Sequence, residues 1–232
     1  MKISASIMAH PERAESVNSL LGALDRPVPV YWDPEGNPSG NADRVWRVAR
    51  AAWSMFDPGA ERHVLLQDDA VPCPDLLAGL ELALDHVPDD VPVSLYLGAG
   101  RTVPMRWEWL AHRADVVGAS WVRGHRIMWG VGLVVPTALI PKMIDDCDRR
   151  SGVPDDMRVS GWFSRRRVDT WYTWPSLVDH RGVPSLTKHR ASDRRARRHL
   201  LGSAAEVSWN GPVVTDPMIT RSKGSMSAPR VR

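Results

Sequence analysis

The chain holds only two cysteines, Cys73 and Cys147, so neither a disulfide framework nor a cysteine-built zinc site can organise it. No apolar run approaches the roughly 18 residues of a membrane-spanning helix. The opening Met1-Lys2-Ile3-Ser4 lacks the charged-then-apolar layout of a secretory leader. These absences lead us to expect a soluble, cytoplasmic protein. A Gly-x-x-x-x-Gly-Lys phosphate cradle is also missing. Phenylalanine and tyrosine are scarce, at two and three, against eleven tryptophans. Tryptophan fills cores and also stacks on rings, whether sugars, bases or side chains.

What is present is ordinary globular material: 232 residues, 43% hydrophobic and 25% charged. That length fits one α/β domain with an appendage. The net charge of +3 is unevenly spread. Residues 187–232 carry ten Lys/Arg against three acids, whereas residues 1–186 carry 20 basic and 24 acidic groups. A basic extension of this kind can bind a polyanion, or it can simply face solvent. The expected organisation is a domain over 1–186 and a basic C-terminal extension over 187–232. Within the domain, 1–100 form one half and 101–186 the other. The last residues, 222–232, are expected to be disordered.

Hydrophobic spacing gives the element order. Lys2 to Met8 reads as a strand with Ile3, Ala5 and Ile7 on one face, and Pro11 opens a helix to Leu24. Val28–Trp32 is a second strand, ending in a Pro/Gly/Asn-rich loop. Asp43 is a candidate cap for a helix through Trp53. His63–Gln67 is a nearly continuous apolar run, as expected of a strand buried on both faces. Pro74 and Asp75 precede a leucine-rich helix, and Val91–Leu97 is a further strand. Strand–helix alternation predicts an α/β fold with a mostly parallel sheet flanked by helices, of Rossmann type. Beyond residue 100 the spacing predicts a helix over 107–114, strands over 115–121, 127–135 and 170–174, helices over 137–149 and 155–166, and an Arg-rich helix over 191–201.

In such sheets ligands sit beyond the carboxyl ends of the strands. The sharpest feature there is Gln67-Asp68-Asp69, where an apolar strand runs into two adjacent carboxylates. Side-by-side acids are costly to bury without a cation, and carboxylate oxygens suit Mg²⁺ or Mn²⁺. The same residues are compatible with a capping turn before Pro72 and Pro74.

The fragment His63-Val-Leu-Leu-Gln-Asp-Asp-Ala-Val-Pro-Cys-Pro-Asp-Leu-Leu77 resembles the metal-binding acidic motif of GT-A glycosyltransferases, in which an apolar strand ends in an acidic triplet. Here Gln67 replaces the first acid. The resemblance extends over residues 1–190 as an ordered set of motifs. It implies a GT-A-like fold with residues 1–100 as the nucleotide-binding half and 101–186 as the sugar and acceptor half. It implies that Asp69 holds the metal, with Asp68 beside it. Ser6 to Arg13 would be the nucleotide-contacting loop, bringing His10 and Arg13. Asp33 would contact the base or ribose, and Asn41 and Arg44 would lie near a region that helps hold the nucleotide. Trp129 and Gly130 would line the sugar pocket, in Trp129-Gly-Val-Gly132. Asp156, or Asp155, would deprotonate the acceptor hydroxyl in an inverting enzyme. His180, in Pro175-Ser-Leu-Val-Asp-His180, would be the last metal ligand, with His189 as the fallback.

The implied activity is sugar transfer from a nucleotide-sugar, a UDP-sugar above all, to a hydroxyl acceptor, assisted by Mn²⁺ or Mg²⁺. The acceptor stays open among hydroxymethylated DNA reached through the basic extension, protein and glycan. Two other classes compete. A metal-dependent nucleotidyltransferase would use the same strand-end acids. A non-catalytic nucleic-acid-binding protein would explain the basic extension but not the acids.

Overall fold

Ile3, Ala5, Ile7 and Ala9 alternate along the first strand, and this period of two divides the protein into its layers. The computed structural model describes residues 1–36, 41–99, 104–182 and 194–219. β1 (Ile3–Ala9) leads through a short 3-10 turn into α1 (Ala14–Ala23), followed by β2 (Val30–Trp32), α2 (Ala42–Trp53) and β3 (Arg62–Gln67). Next come β4 (Ala70–Pro72), α3 (Leu76–Leu84), β5 (Val93–Ser94), α4 (Met105–Val117) and β6 (Trp121–Gly124). The chain continues with β7 (Gly132–Pro136), α5 (Ile140–Cys147), α6 (Asp155–Arg165), β8 (Thr170–Thr173), β9 (Val178–His180) and β10 (Val213–Thr215).

Eight strands form the central sheet in the order β10-β6-β8-β5-β7-β3-β1-β2. Four neighbouring pairs are parallel and three antiparallel, so the sheet is mixed, with parallel pairs in a narrow majority. β1, β2, β3, β5 and β8 point one way, and β6, β7 and β10 the other. The architecture is α/β, a central sheet flanked by helices, compatible with a Rossmann-like domain. Val64 and Leu66 of β3 enter one core with Leu20 of α1 and Leu80 of α3, while Leu65 enters a second with Trp53 of α2, Met143 of α5 and Trp162 of α6. The third buried strand is therefore apolar on both sides, as its sequence predicts. A third cluster packs α4, through Trp107 and Leu110, onto Val122, Tyr172 and Val214. No helix among the described residues is long and apolar enough to cross a membrane.

Several expectations are corrected. The helix after Pro104 runs to Val117, so residues 115–117 are helical, and the strand expected over 115–121 starts only at Trp121. Residues 127–131 lie outside β7, which starts only at Gly132, and there Met128 N donates to the Tyr172 hydroxyl (3.0 Å). β5 is only Val93–Ser94. The cap of α2 is Asn41, whose side chain accepts from the Asp43 and Arg44 amides, not Asp43. Asp75 does not cap α3 with its side chain. Asp25, after α1, does so by accepting from the Leu77 and Ala78 amides (2.9 Å each). The expected disorder of 222–232 and the fallback ligand His189 lie outside the described residues.

The extension from residue 194 packs onto the sheet. Residues 194–201 form no helix; they run as a strap with isolated bridges Gly98↔Ala196 and Ser176↔His199. Asp179 explains the extended path: its carboxylate accepts from the Ala196 amide (2.5 Å) and pairs with Arg195 (3.2 Å). Further on, a 3-10 turn at Ala204–Glu206 lies on α3, so close that a Cβ on Gly79 would stand 2.3 Å from the Ala204 carbonyl carbon. Trp209 packs on Trp121 with centroids 5.4 Å apart and accepts the Trp121 indole N–H on its carbonyl (3.0 Å).

His63 of β3 is fully buried between two serines, with Ser4 Oγ 2.8 Å from Nδ1 and Ser6 Oγ 2.9 Å from Nε2. Burial pushes its imidazole down to about 4.

Two outcomes are expected. Gly79→Ala normally helps a helix, but here it drives a methyl into backbone, so urea unfolding should show a loss of about 1–3 kcal/mol. His63 titrates near 4 folded and near 6.5 unfolded, so the unfolded chain takes up the extra proton between these values. Its contribution is complete above pH 6.5 and fades as pH falls to 4, roughly 3 kcal/mol in all. Relative to the parent, His63→Gln should show a flatter loss of stability over that window.

Candidate functional site

Five strands deliver their carboxyl ends to one edge of the sheet, and most of the sequence-predicted site residues lie there. β3 ends in Gln67, and Asp68 and Asp69 follow directly. β4 then turns back and pairs antiparallel with β9, in register Ala70↔His180. That two-residue excursion brings His180 to Asp69. The Arg181 amide donates to the Asp69 carbonyl (2.7 Å), and His180 Nε2 stands 3.2 Å from Asp69 Oδ2.

Hydrogen bonding sets the character of that contact. His180 Nδ1 lies 2.7 Å from the Arg181 carbonyl, which can only accept, so Nδ1 carries the proton. In the neutral ring, Nε2 is then a bare lone pair facing a carboxylate oxygen. Two acceptors in contact repel unless a positive charge lies between them, either a second proton on the ring or a cation. Asp69 Oδ1 is buried and has no hydrogen-bond partner among the described residues. A backbone carbonyl that accepts from one imidazole nitrogen and leaves the other to a ligand is the usual outer support of a metal-binding histidine, and the Arg181 carbonyl stands in that position. Among the described residues there is no group of three or more His, Cys, Asp or Glu side chains placed to hold a metal. The donor set is this pair, so a cation bound here would need further oxygens from its ligand.

Asp68 turns toward β1, where its Oδ2 accepts from the His10 amide (2.8 Å). Burial pushes Asp68 up to about 6, against the pull of the His10 amide and with a push from Asp69, while the Arg13 charge pulls it down. His10 Nδ1 accepts from the Glu12 amide (3.2 Å), so the ring proton sits on Nε2. That donor is buried without a partner among the described residues. Arg13 is buried beside it, 8% exposed. The edge therefore offers acceptors at Asp69 and His180 and a donor at His10, with Arg13 buried on the same loop.

Gly130 stands just before β7 between two other predicted residues. A Cβ there would lie 3.0 Å from Gln67 Nε2 and 3.2 Å from Asp156 Cβ. A side chain would wedge these apart, so glycine holds β3, the loop and the start of α6 together. Asp156 Oδ1 accepts from the Met157 amide (2.7 Å). Burial, then the neighbouring Asp156 charge, push Asp155 upward. Trp129 is half-buried in an aromatic group the sequence did not reveal, edge-on to Tyr96 (5.7 Å), Trp107 (6.0 Å) and Tyr172 (6.3 Å). Its members come from four segments distant in sequence.

Asp33 and Arg44 sit at the end of β2 and in the first turn of α2, engaged with each other. Asp33 Oδ2 accepts from Arg44 Nη2 (2.7 Å) and Nε (3.1 Å), and both residues are buried. At the opposite edge a cavity of about 260 Å³ is lined by Pro88, Asp90, Val91, Arg123, Arg167 and Trp171 among others, far from the acids.

The fold and edge define an α/β protein with a two-donor acidic corner beside a donor-rich loop. No protein-family model matches the chain, and a search of curated proteins finds no significant relative.

Arg44→Ala should leave Asp33 buried and unpaired, costing about 3–5 kcal/mol in urea unfolding. Adding Asp33→Asn to that variant should recover part of the loss.

Proposed function

We propose that this chain is a GT-A-type glycosyltransferase that moves a sugar from a nucleotide-sugar, with UDP as the expected nucleotide, to an acceptor hydroxyl. The observation that carries the reading is the facing pair of Asp69 Oδ2 and His180 Nε2, 3.2 Å apart, with the other imidazole nitrogen committed to a carbonyl. Such a pair fits a divalent cation. The cation, Mn²⁺ or Mg²⁺, would supply charge neutralisation at the diphosphate leaving group. Mn²⁺ suits the imidazole better.

The remaining roles belong to the chain's own side chains. Asp69 and His180 would hold the cation, and the diphosphate would complete the shell that two protein donors leave open. The His10 Nε2–H and the Arg13 guanidinium stand on the loop after β1, where phosphate oxygens need donors. Asp68 ties that loop to the end of β3 through the His10 amide. Asp156, beside Gly130 and Gln67, would accept the proton of the attacking hydroxyl. Asp155 gives it a neighbour whose own ionisation burial disfavours. Attack with Asp156 as base is a single displacement, so the product anomer is inverted. Trp129 and the aromatic group behind it would shield the sugar side of the cleft from water.

The test is a thermal-shift titration with UDP, with and without Mn²⁺, joined to product analysis. Mn²⁺ with UDP should raise the melting temperature, since only the folded chain binds. Asp69→Ala should fold, with that shift abolished. Release of UDP from a UDP-sugar should follow the same dependence, and NMR of the product should show the inverted anomer. No shift with any nucleotide and metal would falsify the reading.

A further inference from the structure

A second surface lies on α4 and the strap that crosses it. Glu108 and Asp115, seven residues apart, share one flank of the helix. The strap covers that flank with charge: Arg197 reaches Glu108 (2.7 Å) and Arg198 reaches Asp115 (2.9 Å). Both acids of α4 are thereby neutralised. Arg106 and Arg113, also seven apart, share the other flank, and between the flanks the helix presents Met105, Trp109, His112 and Val116 to solvent. Trp109 is 49% exposed, in a protein that buries seven of its eleven tryptophans.

The charged flank is extended by built structure. Arg106 Nη2 lies over the His125 ring, 3.2 Å from Nδ1 and 3.3 Å from Nε2. Trp107 stacks against the same ring, its centroid 6.4 Å away and its plane 27° off. Buried Asp216, at the end of β10, takes His125 Nδ1 at 2.9 Å and Arg106 Nε at 3.2 Å. Arg106 and His125 are thus held in place, each about one-third exposed, beside exposed Arg126. Across α4, the strap and residues 125–126, seven arginines stand against four carboxylates, with Asp216 and Asp179 included.

We propose that this surface binds a single strand of nucleic acid. Phosphates lie along the Arg106–Arg113 flank and the strap arginines, and an unpaired base stacks on Trp109. The charge complementarity is the surplus of three arginines that remains once the pairs Arg197–Glu108, Arg198–Asp115, Arg195–Asp179 and Arg106–Asp216 are set against each other. The exposed indole selects the partner, because every base has a face to stack and an unpaired strand can present it. The surface is separate from the acid corner, and binding here does not require the glycosyltransferase reading. Under that reading it makes a nucleic acid the acceptor.

The test is fluorescence anisotropy with a fluorescein-labelled 20-mer of thymidine and the full chain, over a series of salt concentrations. Binding should weaken with salt, as counterion release requires. Trp109→Ala should weaken it by roughly 5- to 150-fold, the range of one base–aromatic stack. Arg113→Glu should weaken it and lower the salt slope by about 0.7, one phosphate contact. Both residues are exposed, so circular dichroism and melting temperature should be unchanged. No anisotropy change at low salt, or full-strength binding by both variants, overturns the proposal. So does a duplex of the same length that binds more tightly and ignores Trp109→Ala. The Mn²⁺–UDP melting shift, measured on the same variants, reports separately on the acid corner.

Discussion

The contact between Asp69 and His180 is the constraint on which the candidate site rests. It brings together two electron-pair donors that repel without a positive charge between them. The repulsion is not relieved by rotating the imidazole, because the Arg181 carbonyl holds the opposite nitrogen. Nor is it relieved by moving the backbone, because the β4–β9 ladder and the bond from the Arg181 amide to the Asp69 carbonyl fix the spacing. A fold that holds two such atoms in place keeps a position ready for charge. The cost of that readiness is carried by the surrounding apolar core, which anchors β3 from both faces.

Around this corner the chemistry divides by element. The β1 loop brings hydrogen-bond donors, the end of β3 brings carboxylates, and the start of α6 brings a carboxylate pair. Glycine makes the meeting possible at one point, where Gly130 lets Gln67 and Asp156 approach. The Asp33–Arg44 pair shows the contrasting case. Its charges face each other in a buried site, and the pair ties β2 to α2.

Much of the first hundred residues was legible because local patterns there coincide with the final packing. Alternation in β1, the doubly apolar β3 and the acids at its end could be read directly. The helix over 155–165 was legible for the same reason, whereas the approach of His180 to the acids was expected only from the resemblance, because the ladder that brings it there is long-range. What escaped reading depended on distant partners. The β4–β9 ladder joins short segments a hundred residues apart, and neither has a strand-length pattern of its own. Asp25 caps a helix fifty residues downstream. The Arg-rich segment has helical spacing over 191–201, yet Asp179 and the edge residues 97–99 draw residues 194–200 into an extended path. Trp121 and Trp129 belong to strands or crossings whose limits are set by α4 and Tyr172, which the apolar run over 127–135 could not reveal.

The position of β10 at the far edge of the sheet has a kinetic side. α4 and β6 are complete by residue 124, but the strand that closes against them, the turn that fills the space over Gly79 and the tryptophan that covers Trp121 all lie beyond residue 200. On a ribosome, the half of the sheet around β1 and β3 can begin to assemble while this half waits for its border. Until residue 215 emerges, the growing chain carries an uncovered apolar seam, and the emergence of that segment, more than local propensity, times its burial.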